Sequence, residues 1–380
     1  MRPLLRLVTL VLLSLLVAAT GSLAQEMQWL QYHITRQERS LRWLALTTNA
    51  PPNVALPTKF NATPYFAHWS TALDPKGRWL CFDRSSKSGA YDRLFIDTTG
   101  DGRLDNKLPL RPSGMTRYGG LYSEPVRLVF KGEDGPVTYH LLLPFMTSDS
   151  GDARLLTSPG GFYSGAVDFA GKKHRIELID GNVNGAFNDL AANPDDCDQV
   201  ALDGQAPQAL GRLLEVDGQF YRIEVARDGA FIKVQKATDV ALGTVRLPAG
   251  ISEFTAVGEN GQFTRKPAQG EVTLPAGAYR IGQYVVDRKD ERGAAWRLRG
   301  FNFPSSAGFQ VAADKPVSLD VGEPVRLALE SSEFGGGEVS FRLPFRGRRQ
   351  ETVEITRDND QPPPPRLTLV SLDGSYRYVN

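Results

Sequence analysis

LFIDTTGDGRLDN, residues 94–106, and LIDGNVNGAFND, residues 178–189, share one pattern. In each stretch an apolar run ends in an aspartate, and residues that carry a side-chain oxygen follow at every second position. A glycine, one variable residue and an apolar residue come next. Short apolar runs before a polar turn are typical of β-strands, so each stretch predicts a strand that ends in a tight polar loop. Residues 97–105 are called loop 1 and residues 180–189 loop 2.

The spacing of the oxygen-bearing residues suits calcium. Ca²⁺ takes roughly six to eight oxygen ligands, and a calcium loop supplies them from alternate positions, with a backbone carbonyl at position 7 and glycine at position 6. Gly102 and Gly185 stand at that sixth position. The predicted ligands of loop 1 are Asp97, Thr99, Asp101, the carbonyl of Arg103, and Asp105. Those of loop 2 are Asp180, Asn182, Asn184, the carbonyl of Ala186, and Asn188.

Position 12 departs from the calcium pattern, because Leu108 and Ala191 replace the usual acid. A run of acids after loop 2 could supply the missing carboxylate, and spacing does not choose among its members. The candidates are Asp195, Asp196 and Asp198, of which Asp196 and Asp198 complete the predicted ligand set. With few carboxylates, the expected affinity is that of extracellular calcium modules. The alternative is a pair of Asp/Asn/Gly-rich turns that bind no metal.

Both loops follow strand-like runs, whereas the loops of EF-hands follow helices. They resemble the helix-less calcium loops of dockerins and of thrombospondin type 3 repeats. Residues 91–106 and 174–189 are also similar to a set of secreted bacterial β-proteins that carry such a loop after a strand and, later, a strand of the form LPAG-Y. This chain has that strand at 274–279. The resemblance implies an exported β-protein with bound calcium and implies no established activity.

The first 24 residues predict a secretory signal peptide. Arg2 and Arg6 precede an apolar run, and Ser22-Leu23-Ala24 is a small-x-small cleavage site. The run is too short for a membrane span. We therefore expect a secreted or periplasmic protein with no membrane span after cleavage. Removing two arginines changes the formal net charge from +1 to −1. Basic and acidic residues are mixed, which argues against a nucleic-acid partner.

Short alternating apolar runs separated by Asp-Gly and Gly-x turns predict a mainly β protein. We expect an N-terminal β domain over residues 25–236 that carries both loops. An immunoglobulin-like or prealbumin-like β-sandwich is predicted over 237–357, and a Pro-rich spacer with a terminal strand over 358–380. Residues 25–60 are ambiguous between early strands and a short helix.

Other chemistry-bearing residues give weaker signals. Cys81 and Cys197 could form a disulfide or remain two buried thiols. The four histidines lack the spacing of a zinc site, and no nucleophile-elbow, zinc-protease or phosphate-loop motif is present. Several aromatic residues near turns could stack on sugars, although core roles are commoner for such residues. They are Tyr65, Trp69, Tyr118, Tyr122, Tyr163 and Trp296.

These observations favour an exported calcium-binding β-protein with a non-enzymatic binding or cell-surface role. An extracellular polysaccharide or a cell-surface component is the expected partner. The alternatives are a hydrolase of an extracellular polymer with structural calcium, whose carboxylate pair would meet only in the fold, and a structural assembly module. No catalytic residue can be assigned from the sequence.

Overall fold

The computed structural model describes residues 27–105, 108–116, 119–132, 135–147, 153–193, 195–304, 308–334, 338–362 and 368–379. The predicted signal peptide falls outside these ranges. Strands and turns make up the described chain, and no helix occurs within those ranges, so the mainly β prediction is confirmed. The chain divides into two compact units, Met1–Asp239 and Val240–Asn380.

The first unit contains eighteen strands. They are β1 Met27–Trp29, β2 Gln31–Ile34, β3 Arg42–Leu44, β4 Leu46–Thr47, β5 Tyr65–Thr71, β6 Asp74–Asp83, β7 Arg93–Ile96, β8 Gly114–Thr116, β9 Gly119–Lys131, β10 Pro136–Thr147, β11 Ala153–Pro159, β12 Gly161–Phe169, β13 Lys172–Ile179, β14 Gln199–Leu202, β15 Gln208–Ala209, β16 Leu213–Val216, β17 Gln219–Val225 and β18 Phe231–Lys236.

Four antiparallel sheets follow one another along the first unit. Their strand orders are β4-β5-β6-β7, β3-β11-β10-β9-β8, β15-β14-β13-β12-β2 and β1-β18-β17-β16. Most neighbouring strands are consecutive in the sequence, as expected where short alternating runs are joined by tight turns. The turn between β16 and β17, for example, places Asp217 and Gly218 at φ of 51° and 77°, as a two-residue hairpin of the favoured mirror-image type requires.

The first four strands form what we call the strap, residues 27–47. Each strand of the strap lies at the edge of a different sheet of the first unit. Leu30, between β1 and β2, is buried and belongs to the core that all four sheets share. The ambiguous segment of the sequence is therefore a series of short strands, and it connects the four sheets through pairings far apart in sequence.

Loop 1 and loop 2 lie between consecutive strands of this framework. Loop 1 follows β7, and loop 2 follows β13. The apolar residue at position 8 of each loop is buried, as the sequence predicts. Leu104 packs in a small core with Phe66, Cys81 and Phe95, whereas Phe187 packs in the main core.

The second unit contains fifteen strands. They are β19 Leu242–Arg246, β20 Ile251–Gly258, β21 Gly261–Arg265, β22 Glu271–Pro275, β23 Gly277–Lys289, β24 Ala295–Phe301, β25 Gly308–Val311, β26 Val317–Ser318, β27 Arg326–Leu327, β28 Glu330–Phe334, β29 Glu338–Arg342, β30 Phe345–Arg346, β31 Thr352–Arg357, β32 Thr368–Val370 and β33 Arg377–Val379.

A three-stranded sheet, β22-β19-β26, and a larger sheet, β21-β20-β23-β24-β31-β30-β27 with β25 beside β23, form most of the second unit. Two separate hairpins, β28-β29 and β32-β33, complete it. Phe254 and Tyr284 are among its fully buried side chains. The immunoglobulin-like or prealbumin-like arrangement stays a prediction, and most of the Pro-rich spacer lies outside the described ranges.

Leu30→Ala tests whether the strap is part of the core. Leu30 is 7% exposed, whereas Ile34 in the same strap is 60% exposed. We expect Leu30→Ala to lower the free energy of unfolding by about 2–5 kcal/mol, because a buried leucine leaves a cavity. Ile34→Ala should change it by less than about 0.5 kcal/mol. Urea denaturation of both variants is the measurement, and equal effects would contradict a strap packed into the core.

Candidate metal centre

The two loops have the same backbone conformation. Their fourth and sixth residues both lie in the left-handed region, with φ of 79° and 70° at Gly100 and Gly102. The corresponding angles are 58° at Val183 and 88° at Gly185. A β-branched residue is strained there, and Val183 is held by burial and by the indole N–H of Trp69, which donates to its carbonyl at 2.7 Å. The matching angles support the alignment of the loops made from sequence.

The same hydrogen bonds also recur in both loops. The aspartate at position 1 accepts the N–H groups of positions 5 and 6, at 3.2 and 2.9 Å for Asp97 and at 3.1 and 2.7 Å for Asp180. The side chain at position 5 accepts the N–H of position 7, at 3.0 Å for Asp101 and 2.7 Å for Asn184. Each first aspartate therefore shapes its loop by collecting N–H groups.

Loop 1 is largely exposed, although its first aspartate, Asp97, is buried at 4% exposure, and the loop lies next to cationic side chains. Its predicted ligands Thr99, Asp101 and Asp105 are exposed, and the Arg103 guanidinium donates to the carboxylate of Asp105 at 2.7 Å. The buried Arg78 guanidinium lies against the loop, since a Cβ added at Gly100 would meet its nitrogens at 2.7 Å. Arg103 therefore neutralises one of the predicted ligands of loop 1, whereas Arg78 is itself paired with Asp74.

Loop 2 is enclosed, and its first aspartate is completely buried. Asp180 is 0% exposed, and the hydroxyl of Tyr139 donates to its carboxylate at 2.7 Å. Asp198 reaches the loop from the following segment and is 1% exposed. Its carboxylate accepts the N–H of Gly181 at 3.1 Å and that of Asp189 at 2.7 Å. Two buried carboxylates therefore hold the two ends of the loop.

A third carboxylate faces the amide side chains of loop 2. Asp189 accepts the amide N–H groups of Asn182 and Asn184 at 3.1 and 2.7 Å. The Oδ1 atom of Asn182 is buried and has no hydrogen-bond partner among the described residues. Buried polar atoms without a partner are rare in folded proteins, and each calls for an explanation. This atom belongs to a predicted calcium ligand.

The acids of loop 2 lack positively charged partners. Within the described ranges, Asp180, Asp189 and Asp198 form no ion pair with Lys, Arg or His. Burial raises the pKa of Asp180 from 3.8 to about 6, against the opposing hydrogen bonds from Tyr139 and the loop N–H groups. Burial, and then the charge of Asp180, raise the pKa of Asp198 well above its usual value. The two buried carboxyls therefore ionise less readily than exposed acids, and one cation, the guanidinium of Arg42, lies beside the loop and donates to the carbonyl of Gly181 at 2.9–3.1 Å.

The predicted ligands of loop 2 and the acids after it fall into two groups, those that come together in the structure and those that are exposed to solvent. Asp180, Asn182, Asn184 and Asp198 come together through the bonds described above. Asp195 and Asp196 are exposed, as is Asn188 at position 9. Asp189 was absent from the predicted ligand set, although its place directly after Asn188 in a run of acids was a usable signal. Position 12 is exposed at Leu108 and buried at Ala191.

Other predicted features lie elsewhere. Cys81 and Cys197 are both buried and form no disulfide, so they are two separate thiols. Trp69, proposed above for sugar stacking, is buried in the core, while Tyr65, Tyr163 and Trp296 are half-buried. Tyr118 and the side chain of Tyr122 lie outside the described parts. The exposed tryptophans are Trp29 and Trp43 of the strap, at 67% and 64%.

Among the described residues, no three His, Cys, Asp or Glu side chains are placed to hold a metal together. In the same ranges, no helix has the length and apolar character needed to span a membrane. Comparison of the chain with protein-family models, curated proteins and solved structures found no match. The site is therefore interpreted from its own residues.

Asp180→Asn should remove a pH-dependent cost of folding. A raised carboxyl pKa means that the folded protein binds the proton more tightly than the unfolded chain, so stability falls as pH rises from about 4 to about 6. Asn cannot ionise. In the presence of a chelator, the free energy of unfolding of the variant should therefore rise relative to that of the wild type across this window, by on the order of 3 kcal/mol. Urea denaturation at several pH values measures the difference, and a pH-independent difference would contradict an ionising Asp180.

Proposed function

We propose that this chain is an exported calcium-binding β-protein with a non-enzymatic binding or cell-surface role, and that loop 2 is its principal ion site. One observation carries the proposal. Two fully buried carboxylates, Asp180 at position 1 of a loop with calcium spacing and Asp198 from the segment that follows it, form no ion pair in the described chain. Burying charge without compensation is costly, and a bound cation would offset that cost.

The donor set of loop 2 fits a hard cation that prefers oxygen. The carboxylates of Asp180, Asp189 and Asp198 would be the charged donors, and the side-chain oxygens of Asn182 and Asn184 the neutral ones. The three carboxylates are not placed to hold a metal together in the described structure, so ion binding would have to draw them closer. The orphaned Oδ1 of Asn182 would gain a partner. Asp189 now holds the amide N–H groups of both asparagines. An ion there would require those amides to turn their oxygens inward.

Loop 1 is the weaker site in this proposal. It has three carboxylates at predicted ligand positions. However, the guanidinium of Arg103 donates to the carboxylate of Asp105, and the guanidinium of Arg78 lies against the backbone at Gly100. Coulomb repulsion between a guanidinium and a divalent ion acts over several ångströms even near the surface. Loop 1 can hold its shape through the hydrogen bonds that Asp97 accepts, without any ion.

An ion at loop 2 would stabilise several parts of the first unit together. The carbonyl of Gly181 accepts hydrogen bonds from Ser40 and Arg42 in the strap, at 2.5 Å and at 2.9–3.1 Å. The carbonyl of Asn184 accepts the hydroxyl of Thr71, at the end of β5, at 2.6 Å. Ion binding that fixes loop 2 therefore supports the strap and a second sheet.

The role as a binding protein rests on the exposed surface. Trp29 contacts Phe231 edge-on at 5.5 Å, and the Arg154 guanidinium lies 5.8 Å from the ring centre of Trp43. Exposed aromatic rings held in place by neighbours suit the apolar faces of sugars, so an extracellular polysaccharide is the proposed partner. A polymer hydrolase needs an accessible acid pair. Asp180 and Asp198 are buried and therefore do not form such a pair.

Calcium should raise the melting temperature of chelator-treated protein. Binding to the folded state alone stabilises it by roughly 2.7 kcal/mol when free ion is one hundred times the dissociation constant. Asp180→Asn and Asp198→Asn should each abolish most of the increase, whereas Asp101→Asn in loop 1 should leave most of it. Differential scanning calorimetry and isothermal titration with calcium are the measurements.

The control for the calcium experiment is Asp196→Asn, which removes an equal charge from an exposed position two residues before Asp198. It should retain the full calcium response. If millimolar calcium neither binds nor changes the melting of the wild-type protein, loop 2 is a metal-free turn and the calcium proposal fails.

A polysaccharide screen tests the binding role. Calcium-loaded protein should bind at least one extracellular polysaccharide without shortening it. The double substitution Trp29→Ala and Trp43→Ala should weaken that binding by roughly tenfold or more, because an aromatic ring that stacks on a sugar contributes a large apolar contact area. Tyr376→Ala, at an exposed aromatic residue of the second unit, is the control. Release of shorter products would instead support the hydrolase.

A further inference from the structure

Three tight turns of the first unit have left-handed backbone at both central residues. They are Ala170-Gly171, Asp203-Gly204 and Asp217-Gly218, with φ between 49° and 96°. Asparagine and aspartate tolerate this region better than other non-glycine residues. Two of the turns therefore present an aspartate side chain from a fixed backbone, and both aspartates are directed at one histidine.

His174, on β13, lies between these two aspartates and is only 7% exposed. Its Nδ1 atom lies 2.7 Å from Oδ2 of Asp203. Its Nε2 atom is buried, makes no hydrogen bond in the described chain, and lies 3.3 Å from Oδ2 of Asp217. A neutral imidazole protonated at Nδ1 would turn a lone pair toward the Asp217 carboxylate. A charged imidazolium presents an N–H to each aspartate.

The other groups around His174 keep the two carboxylates ionised. The ammonium of Lys172 lies 2.6 Å from Asp217, and this contact holds the pKa of Asp217 below its usual value. The hydrogen bond with His174, and then that from the backbone N–H of Arg175, lower the pKa of Asp203.

The remaining neighbours complete the surroundings of the ring. Asp168 accepts the N–H of Gly171 at 2.8 Å, and Lys173 lies opposite Asp168 in the register of β12 and β13. The guanidinium of Arg175 lies 3.8 Å from Glu177. Phe169 packs edge-on against the imidazole at 5.8 Å and also against Tyr221. The aromatic packing shields one side of the imidazole from water.

His174 connects two sheets. Its own strand and the Asp203 turn belong to the sheet β15-β14-β13-β12-β2, whereas the Asp217 turn joins β16 to β17 in the sheet β1-β18-β17-β16. The bond to Asp203 can persist with a neutral ring, since it needs one N–H. The attraction to Asp217 across the sheets requires the second proton. Only the contact between sheets therefore depends on the charge of His174.

We propose that His174, Asp203 and Asp217 form a pH-sensitive lock between these two sheets. The lock is closed while the imidazole carries both protons and loosens at the Asp217 turn when one proton leaves. It is separate from the calcium loops and uses none of their proposed ligands. An exported protein that meets both acidic and alkaline surroundings would thereby have a more tightly joined first unit in acid.

Stability measurements test the lock on the full chain in calcium-containing buffer. At about pH 5 the wild type should melt about 2–4 °C above Asp217→Asn, a shift typical of losing one such contact in a unit of this size. At about pH 8.5 the difference should shrink to the small contribution of the exposed ion pair between Lys172 and Asp217, which does not depend on His174. Asparagine tolerates the left-handed backbone at position 217, so this variant retains the turn. His174→Gln should show the same pH dependence, and His33→Gln is the matched histidine control.

Nuclear magnetic resonance of the imidazole nitrogens provides a direct readout. At about pH 5 both nitrogens of His174 should carry protons. When one is lost, the amide signals of Asp217 and Gly218 should shift with the same midpoint, while those of Asp203 and Gly204 shift less. The proposal is overturned if His174 is neutral at about pH 5, or if the amide signals of Asp217 and Gly218 do not change when His174 loses a proton. It is also overturned if the effect of Asp217→Asn is independent of pH.

Discussion

The burial of the Asp180 carboxylate constrains the rest of the first unit. A carboxylate out of contact with water must be surrounded by donors, and here Tyr139, Asn184 and Gly185 supply them. Those donors come from β10 and from loop 2 itself, so the carboxylate fixes both the curvature of the loop and its position against a neighbouring sheet. Gly181 is required beside it, because a Cβ there would lie 2.3 Å from the carbonyl oxygen of Cys197.

Two loops of one backbone shape have acquired different electrostatic surroundings. One acid of loop 1, Asp105, is paired with an arginine, whereas the acids of loop 2 form no ion pair in the described chain and Arg42 contacts only the loop backbone. The shape alone therefore does not determine what such a loop binds. The side chains that neighbouring segments place beside the loop also matter. Arg78 beside loop 1 and Asp198 beside loop 2 carry opposite charges.

Local pattern predicted much of the fold. Strands β7 and β13 end where the sequence predicts a strand before each loop, because a short apolar run followed by a polar turn acts over a few residues. The strap could not be assigned in this way, since its strands pair with residues far away in sequence. Spacing could not select Asp198 over Asp195 and Asp196, because the choice depends on which side chain reaches the N–H groups of Gly181 and Asp189. Tyr139, 41 residues before Asp180, gave no local signal.

The strap has a consequence for how the first unit folds. Met27 pairs with Lys233, and Trp29 with Phe231, so the last sheet cannot be completed until more than 200 residues have been brought together. Contacts of such sequence separation slow folding, because chain entropy is lost before the contact forms. The topology thus makes the docking of β1 on β18 a late step in the folding of the first unit, and β18 keeps an unpaired edge until that step is complete.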